Sequence, residues 1–394
     1  MTRSPKAHVD PAVLQWLRNA SGYSVEEAAR RTQSTPQNLQ AWESGEESPS
    51  MSQLRKLARV FKRPISDFFL PRPMPEPVMP HDFRRLPDVG GIAYSPTLRH
   101  EIRLAYRRRI LALDLAEELE IRTPIFAARA TVTATDDAEA VGNRIRELLR
   151  VTMSEQVQWR DPRVGYNTWR QKIEAAGVLV FQITTVEKTQ MLGFSLVFDQ
   201  LPVIALNRKL KPNGRTFTML HEFTHLLLGE GGVCDIDEEA LRPPREQAIE
   251  VFCNHAAGAA LVPMATLLEH RFVVNVRQPQ EWPDEILDAL ARDFSVSHEV
   301  VLRRLLIGRR TTQAFYARKR REYLARFAQQ DQEEQNPAAE DFKRNMAQEA
   351  VSNLGSFARL VVNSYQSDTI NITDASKFLG IKAEKVAAVG ELLR

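Results

Sequence analysis

The sequence predicts an α+β chain, mainly helical, made of separately folded parts. Three observations carry this. Its 394 residues exceed what one ordinary hydrophobic core holds. Apolar residues recur at helical spacing over most of the chain. Between Gly177 and Asn207 that period breaks into three short apolar runs parted by turn formers, the pattern of strands.

Residues 1–70 read as an N-terminal domain of five short helices. Val13, Leu14 and Leu17 mark the first, which Ser21-Gly22 stops. Ser24 suits the N-cap of a second, with Glu27 completing a capping box, and that helix ends near Thr32. After a turn at Gln33-Ser34, Thr35 caps a third helix with Pro36 at its first position and Gly45 at its end. Helices from about Ser52 to Phe61 and around Ile65 to Leu70 complete the set. Residues 71–94 open with PRPMPEPVMP, whose alternating prolines forbid a helix and predict a semi-rigid linker.

A second domain is expected over residues 95–328. It begins with a long, arginine-rich helix from about Ser95 to Ile121 and an amphipathic one from about Asp137 to Val151. The runs Val178 to Phe181, Gly193 to Phe198 and Val203 to Leu206 then predict a small three-stranded antiparallel sheet. One helix opens after Pro212-Asn213-Gly214, another spans 245–262 until Pro263, and the rest is helical. A polar, acidic spacer (329–341) and a small helical C-terminal module (342–394) follow.

Composition narrows the class. With 43% hydrophobic and 26% charged residues the chain is neither disordered nor fibrous, and no apolar run approaches a membrane span. The N-terminus shows no apolar signal core, and Cys234 and Cys253 alone make no disulfide scaffold. A cytoplasmic protein is expected. The formal net charge of +3 says little about nucleic acid.

Chemistry concentrates in His221-Glu222-Phe223-Thr224-His225. On a helix, positions i and i+4 share a face, so both imidazoles can bind one Zn²⁺ at about 2.0–2.1 Å. Glu222 stands where it can act as general base toward water that the metal activates. A catalytic zinc takes a third protein ligand. Glu246 and Glu250 on the next helix are the candidates, with His255 behind them. Glu250 is favoured because the small residues Ala256 to Ala260 let its helix lie close to the motif helix. Peptide hydrolysis is the reaction expected. Tyr316, His255 and Arg215 are candidates for steadying the oxyanion.

In the N-terminal domain the second and third helices form a helix-turn-helix, whose third helix would enter the major groove. Gln37, Asn38, Gln40 and Ala41 are the expected base readers, since amides suit adenine. Ser34, Thr35, Ser44 and Arg31 are better placed for phosphates. Eight basic against six acidic residues over 12–70 is a modest excess for DNA, and Glu43, Glu46 and Glu47 would sit near its backbone. A module that binds a protein partner is the alternative. Leu39 and Trp42 are core. Nine cations from Arg303 to Arg326 face only Glu322 in sequence, with Phe315, Tyr316, Tyr323 and Phe327 interleaved. They form either a solvated helix face or a surface for nucleic acid or an acidic substrate.

Residues 17–49, above all Trp42-Glu43-x-Gly45 and Pro49, resemble the XRE (Cro/cI-type) helix-turn-helix. The centre resembles the ImmA/IrrE metallo-endopeptidases, which share a zincin-like domain. Leu206-Asn207, Phe217 through Gly229, and Glu250, Asn254, Ala257, Leu261 and Pro263 match their motifs. Cys253, Ala256 and Val262 depart from the usual Ala, Phe and Met, and none is expected to touch a ligand. The resemblance implies Zn²⁺ (sometimes Mn²⁺), ligands at His221, His225 and Glu250, and Glu222 as base. It further implies cleavage of a partner XRE repressor to control transcription, or a toxin paired with a small XRE antitoxin. A non-proteolytic transcription factor with a structural metal is the rival. Helix-turn-helix domains often work as dimers, which leaves a homodimer open.

Overall fold

The computed structural model describes residues 5–74, 79–82, 94–126, 128–129, 131–234, 243–334 and 345–394. The chain divides into two compact units, Met1–Met79 with Pro87–Arg107 and Pro80–Leu86 with Arg108–Arg394.

The first unit holds α1 (Pro11–Ser21), α2 (Val25–Thr32), α3 (Pro36–Ser44) and α4 (Met51–Phe61), then a 3-10 turn at Ile65–Phe69. Each helix starts where a side chain satisfies an orphan amide: Asp10, Ser24, Thr35 and Ser50 accept from Ala12, Glu27, Asn38 and Gln53. The reciprocal capping box lies at Ser50 and Gln53. At Ser24, where the sequence suggested one, the Glu27 carboxylate instead accepts from Arg31. Val13, Leu14, Leu17, Leu39, Trp42, Leu54, Phe61 and Phe68 are buried in one cluster. The long helix α5 (Pro96–Glu118) begins in this unit, where Arg103 donates to the Ala20 carbonyl at 2.9 Å.

The second unit contains β1 (His81–Asp82), α6 (Ala138–Leu149), α7 (Met153–Gln156), α8 (Pro162–Ala175), β2 (Leu179–Ile183), β3 (Gly193–Leu196), β4 (Val203–Asn207), α9 (Pro212–Leu228) and β5 (Gly232–Cys234). Then follow α10 (Pro244–Leu261), α11 (Met264–Glu269), α12 (Asp284–Asp293), α13 (His298–Ile307) and α14 (Gln313–Glu334). The C-terminal helices are α15 (Met346–Leu354), α16 (Ser356–Gln366), α17 (Ile372–Leu379) and α18 (Val386–Leu392).

The mainly helical α+β class stands, but the sheet is five-stranded and mixed, in the order β1-β5-β3-β4-β2. The expected three-stranded antiparallel sheet is thus corrected twice. Strand β2 runs parallel to β4, because β3 passes to the far side of β4. Strands β5 and β1 extend the other edge and are too short to leave a period in the sequence. Strands β2, β3 and β4 are buried at every position, so they read as apolar runs without alternation. Helices α8 and α9 pack on the sheet, and α15 and α16 pack on β2. Arg170 and Gln182 both donate to the Ser352 carbonyl, and Phe181 meets Phe357 edge-on at 6.0 Å. Helix α14 continues to Glu334, inside the segment read as spacer. The rest of that spacer and most of the proline-rich linker lie outside the described residues.

Candidate functional site

Helix α9 opens with Pro212 at its first turn and stops at Gly229, whose left-handed φ of 74° costs glycine nothing. That turn folds Glu230 back over the helix end. Its amide donates to the His225 carbonyl, and its own carbonyl lies 3.1 Å from His225 Nδ1. His221 and His225 share the face of α9 that Glu250 of α10 approaches. His225 Nε2 lies 3.1 Å from Glu250 Oε1, His221 Nε2 lies 3.5 Å from Glu250 Oε2, and the two Nε2 atoms are 3.1 Å apart. Asn254, one turn beyond Glu250, presents Oδ1 2.9 Å from His221 Nδ1. All three candidate ligands are buried.

The donor set fits a cation. Each Nδ1 faces a carbonyl oxygen and therefore carries the proton donated to it, which leaves a lone pair on Nε2 of the neutral ring. Two lone pairs and a carboxylate oxygen then converge at one point between α9 and α10. Tetrahedral zinc keeps its ligand atoms about 3.4 Å apart, close to the separations seen here. The oxygens behind the histidines are the kind of outer partner that orients metal-binding imidazoles.

Glu222 is fully buried and turned toward β3. A Cβ added to Gly193 would come within 3.0 Å of Glu222 Oε1 and 2.8 Å of Thr218 Cγ2, so the missing side chain makes room for that carboxylate. Of the other ligand candidates, Glu246 stays outside the cluster. Cys253 is within hydrogen-bonding reach of His225, which corrects the expectation that the three departures avoid the ligands. Burial pushes the Cys253 thiol up against the opposing pull of His225 and keeps it neutral.

His221, Glu250 and Asn254 line a cleft of about 730 Å³. His255 lines it too, with its Nε2 2.8 Å from Glu139 Oε1. Arg304 clasps the same carboxylate with two guanidinium nitrogens at 2.5 and 2.7 Å. Burial alone raises the Glu139 pKa, but the bonds from His255 and Arg304 and their charges outweigh it, leaving the group at about 2. The other two oxyanion candidates are engaged elsewhere. Arg215 stacks on Tyr166 at 4.6 Å and donates to Gln182, and the Tyr316 hydroxyl accepts from Arg303.

Sequence proximity misled in the basic stretch. Arg304, Arg318, Lys319 and Arg320 pair with Glu139, Glu281, Asp284 and Glu299, all distant in sequence or on other helices. Phe315, Tyr316 and Tyr323 are buried, so their rings anchor α14, and of the three Tyr323 alone lines the cleft; the Phe327 side chain falls outside what is described.

In the first unit, Gln37, Asn38 and Gln40 are exposed on α3, with Thr35 and Ser44 exposed and Ser34 and Ala41 half-buried. The Ser44 hydroxyl donates to the Ala41 carbonyl. Arg18 holds Glu43 in a bidentate pair at 2.7 and 2.9 Å, a partner 25 residues away that the local sequence does not reveal.

Among the described residues, no helix is long and apolar enough to cross a membrane. No curated protein matches the chain. Residues 14–68 match the family model of a helix-turn-helix domain, and residues 173–306 match that of the IrrE N-terminal-like domain, a metallopeptidase family, which is the fusion the sequence motifs resemble.

Proposed function

We propose that this chain is a zinc-dependent, site-specific endopeptidase of the cytoplasm, joined to a DNA-binding domain, that cleaves a partner repressor of the XRE type. The observation that carries the reading is the convergence of His221 Nε2, His225 Nε2 and the Glu250 carboxylate, with Asn254 and the Glu230 carbonyl behind the two rings.

A bound Zn²⁺ supplies Lewis acidity, activating water and polarising the scissile carbonyl. The protein's own residues do the rest. Glu222 takes the proton of the attacking water and returns it to the leaving amine. Its burial beside Gly193 shields that carboxylate from bulk solvent. Asn254 and the Glu230 carbonyl hold the two imidazoles in one tautomer. His255, steadied by Glu139, is the candidate among the three for contacting the developing oxyanion, since it alone of them lines the cleft. On the DNA side, Gln37, Asn38, Gln40 and Ala41 read bases while Ser34, Thr35 and Ser44 meet phosphates. Neutralisation of Glu43 by Arg18 removes one repulsive charge from that face.

The test compares wild type with Glu222→Gln for bound metal and for cleavage of an XRE-type repressor encoded beside its gene. Equal metal with cleavage by wild type alone supports the reading. Metal in both and cleavage by neither favours a non-proteolytic regulator, and absence of metal from wild type sinks the reading.

A further inference from the structure

On the packed helices α8 and α9, three polar groups are left over from the folding of the chain. The Tyr166 side chain is 2% exposed, and its hydroxyl has no hydrogen-bond partner among the described residues. Arg215, in the first turn of α9, stands over the Tyr166 ring at 4.6 Å and donates through Nη1 to Gln182. Its Nε is buried without a partner, and no carboxylate among the described residues pairs with its guanidinium. Nε and Nη2 form the side-on edge with which an arginine grips an oxyanion through two parallel bonds, and the bond to Gln182 leaves that edge uncommitted. Arg163, three residues before Tyr166, is exposed and joins no ion pair among the described residues. The nearby carboxylates serve other cations: Glu174 pairs with Arg170 at 3.2 Å and Glu349 with Arg208 at 3.5 Å. Burial first, and then the charges of Arg208, Arg170 and Arg163, lower the Arg215 pKa, while burial pushes the Tyr166 phenol up and keeps it a donor. Neither Tyr166 nor Arg215 lines the cleft of the candidate metal centre.

We propose that Arg163, Tyr166 and Arg215 form a second site, which binds a small oxyanion of the phosphate type. Arg215 holds two oxygens side-on, the Tyr166 hydroxyl donates from the buried side, and Arg163 meets the ion from the exposed side. A tetrahedral anion has acceptors for donors that arrive from several directions, whereas a carboxylate has only two oxygens. A half-buried guanidinium beside other guanidiniums and an unpaired buried hydroxyl both cost free energy, and one anion offsets both. Arg215 stands on the helix that carries His221 and His225, so an ion bound there braces the unit that holds the candidate metal centre.

The experiment titrates the full chain with inorganic phosphate by calorimetry, at constant ionic strength and after chelation, so that no metal takes the ion. Sulfate should displace the phosphate and chloride should not. Arg215→Gln should weaken binding by at least about tenfold, and so should Tyr166→Phe, which keeps the ring under Arg215 and removes only the hydroxyl. In phosphate-free buffer Tyr166→Phe should melt at or above the wild-type temperature, because the hydroxyl it deletes is buried and unpaired. Added phosphate should then raise the melting temperature of wild type and leave that of the variant where it was. Adenosine monophosphate, titrated in parallel, identifies the source: tighter binding than phosphate marks the phosphoryl end of a small metabolite, and equal or weaker binding marks the free ion. The proposal is overturned if no saturable binding is seen at about 10 mM phosphate, or if either folded variant binds as wild type does. It is also overturned if Tyr166→Phe melts below wild type in phosphate-free buffer, since the hydroxyl then has its partner within the protein. Should Arg215→Gln fail to fold, Tyr166→Phe decides alone.

Discussion

Asn254 holds the His221 ring by accepting from Nδ1, and a ring free to rotate no longer aims Nε2 at the Glu250 carboxylate. Asn254→Ala should therefore weaken metal binding by about 10–100-fold while leaving the fold intact. A competing chromophoric chelator measures this; an unchanged affinity would mean that packing alone orients the ring. Glu139 gives a pH-dependent counterpart. Its carboxyl is held at about 2, below its ordinary 4.5, first against burial and then by His255 and Arg304. A depressed carboxylate stabilises the native state above its unfolded pKa, and that stability drains away as pH falls from about 4.5 toward 2. Glu139→Gln leaves the buried Arg304 without its charge partner, a loss of about 3 kcal/mol near neutral pH. Urea midpoints should show the gap between variant and wild type narrowing from pH 7 to pH 3. A constant gap would show that the carboxylate's charge is not what matters.

Helix α10 carries Glu250, and its position depends on how closely α6 can approach it. A Cβ on Gly142 would lie 2.5 Å from Ala259 Cβ and 2.7 Å from the Ala260 amide, distances no packing tolerates. Gly142→Val should push the helices apart, destabilise the unit by about 2–3 kcal/mol, and reduce metal affinity through displacement of Glu250. Wild-type metal affinity in this variant would show that α10 is held by α9 alone. The same contact shows what could be read in advance. The motif in α9 and the small residues of α10 were legible, because one-turn spacing and side-chain volume are local properties. That Ala259 and Ala260 receive α6 was not legible, since nothing near Gly142 marks it as a contact. The sheet was half legible for a related reason. Apolar runs announce buried strands, but the order β1-β5-β3-β4-β2 is set by crossovers, and strands as short as β1 and β5 carry no period. Charge was least legible of all, as Arg18 with Glu43 and Arg304 with Glu139 show: sequence spacing hides pairs that only the fold brings together.

At the scale of the molecule, two hydrophobic clusters share no residue, one built from α1 to α4 and the other around α9 and α10. Binding that occurs only in the folded state stabilises the unit containing the site, by about 4 kcal/mol when the ligand is present at a thousand times its Kd. The candidate ligands all belong to the second cluster's helices. Removing metal with a chelator should therefore lower the melting transition of the second unit by several degrees and leave that of the helix-turn-helix unit where it was. Differential scanning calorimetry separates the two, and restoring zinc should restore the shift. In His225→Ala the chelator should have no further effect, because the site is already lost. If both transitions fall together on chelation, the units unfold as one cooperative body, and occupancy of the metal site would then bear on the stability of the DNA-binding helices as well. If neither moves, and bound metal is shown to be present beforehand, the ion is not held by these three side chains.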